Sequence, residues 1–160
     1  RVEFSGSPAS TTPAPPNSKA QIYSHLLGES GVTMFATAKL AARYRRGFPQ
    51  SLQGAPVLLP TSDAMLRQLL DPWLAHRELS LNIVGEFDDT ALMKAFGAAG
   101  TGLFPVPAAI ADEVRRLYGV DVVGRLDGVQ VRYYAISIER RLTHPAVVAV
   151  TREAKRALFA

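Results

Sequence analysis

The chain has no cysteine, a single tryptophan and only three histidines in 160 residues. Without cysteine there is no disulfide scaffold, no thiolate metal site and no cysteine nucleophile. No apolar run approaches the roughly 18 residues that a membrane-crossing helix needs, so no spanning segment is expected. His25, His76 and His144 never stand three to five residues apart, so no zinc-type spacing is present and no metal is expected. There is no Gly-x-Ser-x-Gly elbow. The run Gly97-Ala98-Ala99-Gly100-Thr101-Gly102 is rich in small residues, but it follows a helical pattern and lacks the lysine of a phosphate-binding loop. A catalytic centre therefore has little support, and no cofactor is implied. No basic-then-apolar signal segment follows Arg1, and a chain opening on arginine reads as a piece of something longer.

What is present is an ordinary folding composition, 48% apolar and 20% charged. The formal charge of +4 falls in three blocks: +4 over residues 1–60, −3 over 61–110 and +3 over 111–160. Clustered arginine invites a nucleic-acid reading. Here the clusters are short (Arg43, Arg45 and Arg46; Arg115 and Arg116; Arg140 and Arg141; Arg152, Lys155 and Arg156), and only Tyr44 interleaves an aromatic. Solvated helix faces explain them better than a binding stripe.

Four of the eleven prolines lie in the first twenty residues among Ser, Thr and Ala, which reads as extended linker. Val32–Ala36 reads as a strand and Lys39–Tyr44 as a short helix before Gly47 and Pro49. Strand and helix then alternate. Val57-Leu58-Leu59 has the compact apolar form of a strand buried on both faces. Thr61-Ser62-Asp63 supplies cap chemistry for a helix carrying Met65, Leu66, Leu69, Leu70, Trp73 and Leu74, with a kink or restart at Asp71-Pro72. Leu81–Val84 is the next strand, followed by a helix capped by Asp88 and Asp89 with Leu92, Met93 and Phe96 on its apolar face. Gly102–Pro105 makes a third strand, and Pro107 opens a helix that Gly119 stops. Val120–Val123 is a fourth strand, and Asp127-Gly128 has the form of a hairpin turn into Val129–Ile138. In that last strand the apolar parity slips midway. Thr143 would cap a terminal helix carrying Val147, Val150, Ala154 and Leu158. The alternation predicts an α/β fold with a mostly parallel sheet and helices on both faces.

In such sheets ligands bind at the carboxyl ends of strands. Three places qualify: Thr61 and Ser62 after Pro60, then Phe87, Asp88 and Asp89, and then Phe104 and Pro105. Each has an ordinary reading as cap or core. The functional case predicts that all three lie at one end of one sheet. Glu86, Asp88 and Asp89 could attract a hard cation, but consecutive side chains diverge and no calcium-loop spacing completes them.

The run Gly85-Glu86-Phe87-Asp88-Asp89-Thr90-Ala91-Leu92-Met93-Lys94-Ala95-Phe96-Gly97-Ala98 resembles the effector-binding region of LysR-type transcriptional regulators, within them the activators of sodium/proton antiporter genes. Supporting runs are His25–Val32, Arg43–Leu52, Val57–Pro60 and Glu139–Val147, and the likeness extends from about Gln21 to the C-terminus. The resemblance implies a two-lobed, periplasmic-binding-protein-like effector domain attached to a helix-turn-helix that this chain lacks. It implies one complete Rossmann-like lobe over 36–137, a first-lobe remnant and hinge strand over 1–35, and a returning crossing and helix over 138–160. It also implies an ion or small-molecule effector in the cleft, touching Thr61, Ser62, Phe87, Asp88, Asp89, Phe104 and Pro105. Promoter DNA would be bound only through the absent domain, by a cytoplasmic homo-oligomer (dimer or tetramer) with no membrane partner. A lobe of an exported solute-binding protein shares the fold, and a small α/β enzyme is the third reading.

Overall fold

The computed structural model describes residues 3–5, 22–138 and 141–159. The chain divides into two compact units: Ser30–Val131, and residues 1–29 together with 132–160. Two long strands, Tyr23–Ala36 and Asp121–Ser137, run through both.

Unit Ser30–Val131 holds the alternating core. The second strand of the chain, β2 (Tyr23–Ala36), enters it, with the three-residue β1 (Glu3–Ser5) preceding in sequence. There follow α1 (Ala38–Arg45), β3 (Pro56–Pro60), α2 (Met65–His76), β4 (Asn82–Phe87), α3 (Thr90–Ala98), β5 (Phe104–Pro107), α4 (Ala111–Tyr118) and β6 (Asp121–Ser137). β3 and β4 pair in parallel, with Pro60 opposite Phe87 and an irregularity at Val57/Leu58. Leu103, just before β5, makes a parallel bridge to Val57. β5 then pairs antiparallel with β2, Phe35 opposite Phe104 and Val32 opposite Pro107. The strand order is therefore β4, β3, β5, β2, β6, with the first three running the same way.

The proline pattern explains why β5 changes partner. Leu103 both donates to the Pro56 carbonyl (2.9 Å) and accepts from the Leu58 N–H (2.7 Å). In a strand the next backbone groups aimed at that neighbour belong to residue 105 and then 107. Both are proline and have no N–H, so the ladder to β3 stops. Phe104 and Val106, aimed the other way, keep the ladder to β2.

Side-chain parity sorts the core into two layers. Leu58 joins Phe35, Met93, Phe104, Val106, Val114 and Val120 in one cluster beneath α3 and α4. Val57 and Leu59 are equally buried and of opposite parity, on the side where α2 packs on β3 through Leu70, Trp73 and Leu74. At Gly97 the Phe104 ring occupies the space a side chain would need, so α3 approaches the sheet closely there.

Several sequence expectations change. α2 is capped at Ala64 without a side-chain bond, and it runs through Pro72 as one element, with Asp71 bound to Arg67 rather than capping a restart. Leu92 and Phe96 are 49% and 45% exposed, so only Met93 of the expected α3 face is buried. Asp127-Gly128 is not a hairpin: β6 continues through it, with Gly128 at φ +88°. Trp73 Nε1 donates to the Asp127 carbonyl at 2.7 Å, and Arg77, stacked 4.1 Å over the Trp73 ring, donates to the same oxygen. These distant contacts outweigh the local turn preference.

The other unit contains β1, paired antiparallel with Tyr134–Ile136 of β6, and the terminal helix α5 (Pro145–Phe159). The linker expected over the first twenty residues is a strand at 3–5; residues 1–2 and 6–20 of it lie outside the described residues. Phe159 packs at 5.5 Å on Tyr133 and fills the space over Gly28. Glu29 and Arg132 join the two long strands through a 2.7 Å ion pair.

Candidate functional site

Because β3, β4 and β5 are parallel, their carboxyl ends open on one rim of the unit Ser30–Val131. The rim begins at Pro60, where β3 ends. The next residue, Thr61, donates its N–H to the Phe87 carbonyl at 3.0 Å, extending the β3–β4 ladder one step past the strands. Ala64 N–H then donates to the Thr61 carbonyl (3.0 Å), closing a turn that presents Ser62 and Asp63 to solvent ahead of α2.

Across the rim, Phe87 closes β4. Its ring is tilted against Phe96 at 5.4 Å, so it leans toward α3. Asp89 is the N-cap of α3: its Oδ1 accepts from Ala91 N–H at 2.8 Å and from Leu92 N–H at 3.4 Å. Asp88, between them, is exposed. Glu86 has the opposite parity to Phe87 and turns to the α2 side, where it meets Arg67. The three carboxylates of this run thus point to different tasks. Among the described residues no group of three or more acidic or histidine side chains is placed to hold a metal ion.

The structure brings Thr61 and Ser62 together with Phe87, Asp88 and Asp89, but not with Phe104 and Pro105. The sequence expectation ended the third strand at Pro105. The strand instead starts at Phe104 and reaches the rim at Pro107. Phe104 is fully buried, stacked on Phe35 at 6.2 Å, and Pro105 is also buried. Both belong to the middle of the sheet.

Two rim residues had no sequence signal. Ser30, only 5% exposed, lies where β2 enters beyond the Val32–Pro107 pair. Its Oγ accepts from the Ala109 N–H (2.9 Å) and donates to the Gly31 carbonyl (3.0 Å), tying the end of β5 to β2. Arg67 reaches back from α2 to the Pro60 carbonyl (3.1 Å), Glu86 (3.1 Å) and Asp71 (2.7 Å). Burial by itself lowers the pKa of this guanidinium. The bonds and charges of Asp71, and then of Glu86, more than reverse that and leave it above its ordinary value. What the rim presents is a surface of hydroxyls, a helix start without a side-chain cap and exposed carboxylate.

Residues 12–158 match the LysR substrate binding domain model, and the chain belongs to that family. It is 36% identical over 138 residues to the transcriptional activator protein NhaR of Escherichia coli (strain K12), across 86% of this chain and 45% of the relative. The chain thus spans about half the length of the curated relatives it matches. Among solved structures, the regulatory domain of HypT from Salmonella typhimurium in its apo form superposes with a TM-score of 0.62 at 20% identity, covering 86% of this chain and 66% of that one. The effector binding domain of QuiR in complex with shikimate superposes at 0.61 and 17% identity, covering 91% and 69%. The fold is accordingly the α/β, periplasmic-binding-protein-like fold of LysR-type regulatory domains. Among the described residues no helix is long and apolar enough to cross a membrane.

Proposed function

We propose that this chain is the effector-sensing part of a LysR-type transcriptional activator. The unit Ser30–Val131 is its second lobe, and the flanking segments are the hinge crossings and a piece of the first. The effector, an ion or small molecule, seats on the rim formed by Thr61, Ser62, Phe87, Asp88 and Asp89. The observation that carries this reading is the Thr61–Phe87 bond, which sets an uncapped helix start beside a doubly acidic loop at the end of parallel strands. Membership of the family and the NhaR likeness favour a regulator over a lobe of a solute-binding protein.

The rim works by binding, with no group assigned to bond making. Effector binding stabilises one arrangement of the two lobes over another, and the difference in affinity between arrangements is all the free energy the signal can draw on. Subunit contacts in a homo-oligomer carry that bias to helix-turn-helix domains, supplied by the part of the relatives' length that this chain does not match. The edge of β4, where Ile83 and Val84 on its two faces are each more than 40% exposed, is the surface best suited to such a contact. Cytoplasmic residence follows from a DNA-bound role.

The regulator reading is tested by selection from randomised duplexes. Full-length protein should enrich a defined sequence, and residues 1–160 alone should enrich none. Sequence-specific retention by residues 1–160 would place DNA recognition in this chain and overturn the assignment.

A further inference from the structure

We infer that Arg67 is the positioning residue of the rim: one guanidinium fixes where Thr61–Ser62 and Phe87–Asp89 stand relative to each other, without itself meeting the effector. The inference rests on the binding reading proposed above, and it names a residue outside the five assigned to contact.

Three observations carry it. Arg67 is in the first turn of α2, and a long side chain there leans back toward the helix start and over the strand ends. It makes bonds to three separate pieces of structure: the last carbonyl of β3 at Pro60, Glu86 on β4, and Asp71 one turn along its own helix. Its side chain is 11% exposed, while Asp71 and Glu86 are 50% and 47% exposed, so the cation is the enclosed member and the carboxylates hold it from outside.

The need for such a brace follows from β4. Within this unit that strand pairs on one side only, with β3. The register to β3 shifts between Val57 and Leu58, and most of its residues are exposed. Backbone pairing alone therefore leaves its carboxyl end weakly held. Glu86 lies one residue before Phe87 and three before the Asp89 cap, so a bond at Glu86 sets the starting point of the whole loop. Arg67 also neutralises Glu86. Removing it leaves three unpaired or half-used carboxylates within four residues, which repel and spread the loop. A lysine carries the charge as a single point and cannot reproduce the fork that serves Pro60, Glu86 and Asp71 together.

The test is amide hydrogen exchange on the full-length protein without added effector, comparing wild type, Arg67→Lys, Arg67→Met and Glu86→Gln. The Thr61 amide, whose acceptor is the Phe87 carbonyl, should exchange at least tenfold faster in Arg67→Met and by an intermediate factor in Arg67→Lys and Glu86→Gln. Val106 and Val114 amides should stay within twofold throughout. Unchanged exchange at Thr61, or acceleration spread equally to Val106 and Val114, would overturn the inference, the second by showing a merely global loss of stability. Glu86→Gln changes a half-exposed side chain, so it keeps the question answerable if Arg67→Met fails to fold. Since no effector is added, the result is independent of whether the rim binds one.

Discussion

The backbone N–H of Thr61, one step beyond the last paired residue of β3, donates to the carbonyl of Phe87, the last paired residue of β4, at 3.0 Å. This bond holds the loop after β3 against the last residue of β4. It leaves the Thr61 and Ser62 hydroxyls outside the ladder. Replacing them by Thr61→Val and Ser62→Ala should therefore shift unfolding free energy by no more than about 0.5 kcal/mol each, the range of surface changes that break no named feature. The same pair should weaken effector-dependent activation of the full-length protein. Urea melts and a transcription assay check the two halves.

Phe104 gives the opposite expectation. Its ring is fully buried between Phe35 and Gly97, so Phe104→Ala should destabilise the protein by about 3 to 5 kcal/mol. Gly97→Ala should destabilise it too, since the added methyl meets that ring. Trp73 is the sole tryptophan, so its fluorescence through a urea titration reports the loss directly.

Asp89 separates cap from charge. Asp89→Ala removes the acceptor for Ala91 and Leu92 N–H and should destabilise by about 1 kcal/mol, whereas asparagine, an equally good N-cap, should come within a few tenths of wild type. Thermal melts of the two variants check this, and they qualify Asp89→Asn as a probe of charge alone.

At alkaline pH the relevant group is Tyr133. Burial raises its pKa above the ordinary value of 10.0. In the folded protein it keeps its proton when the unfolded chain has lost it, so stability is intact below pH 10 and falls as pH climbs past 10 toward the folded value. Tyr133→Phe should flatten that share of the decline. Melting temperatures between pH 8 and 11 for both proteins measure it.

Much of this architecture was readable because it is written locally. The apolar run Val57–Leu59, the Asp89 cap and Gly119 as the αL stop of α4 each need only a few neighbouring residues. What escaped depends on distant partners. The reach of β2 back to Tyr23 and of β6 across Gly128 is set by strands far away in sequence, and by Trp73 and Arg77 gripping Asp127. Pro107 reads as a helix start, yet it and Pro105 fall on alternate positions of one strand and stop only one of two ladders. Ending the strand at Pro105 puts Phe104 and Pro105 at the rim, whereas the strand runs on to Pro107 and both lie in the middle of the sheet. Arg67 and Glu86 are nineteen residues apart and Ser30 and Ala109 seventy-nine, with no spacing to announce either pair.

In the proposed function the rim of Thr61, Ser62 and Asp88–Asp89 receives the effector. The melting temperature of the full-length protein in sodium, lithium and potassium chloride at constant ionic strength, for wild type beside an Asp88→Asn, Asp89→Asn variant, measures this most directly. Wild type should be stabilised selectively by one member of this set, and the variant should lose that shift while melting normally without it. A variant that responds as wild type does would contradict it.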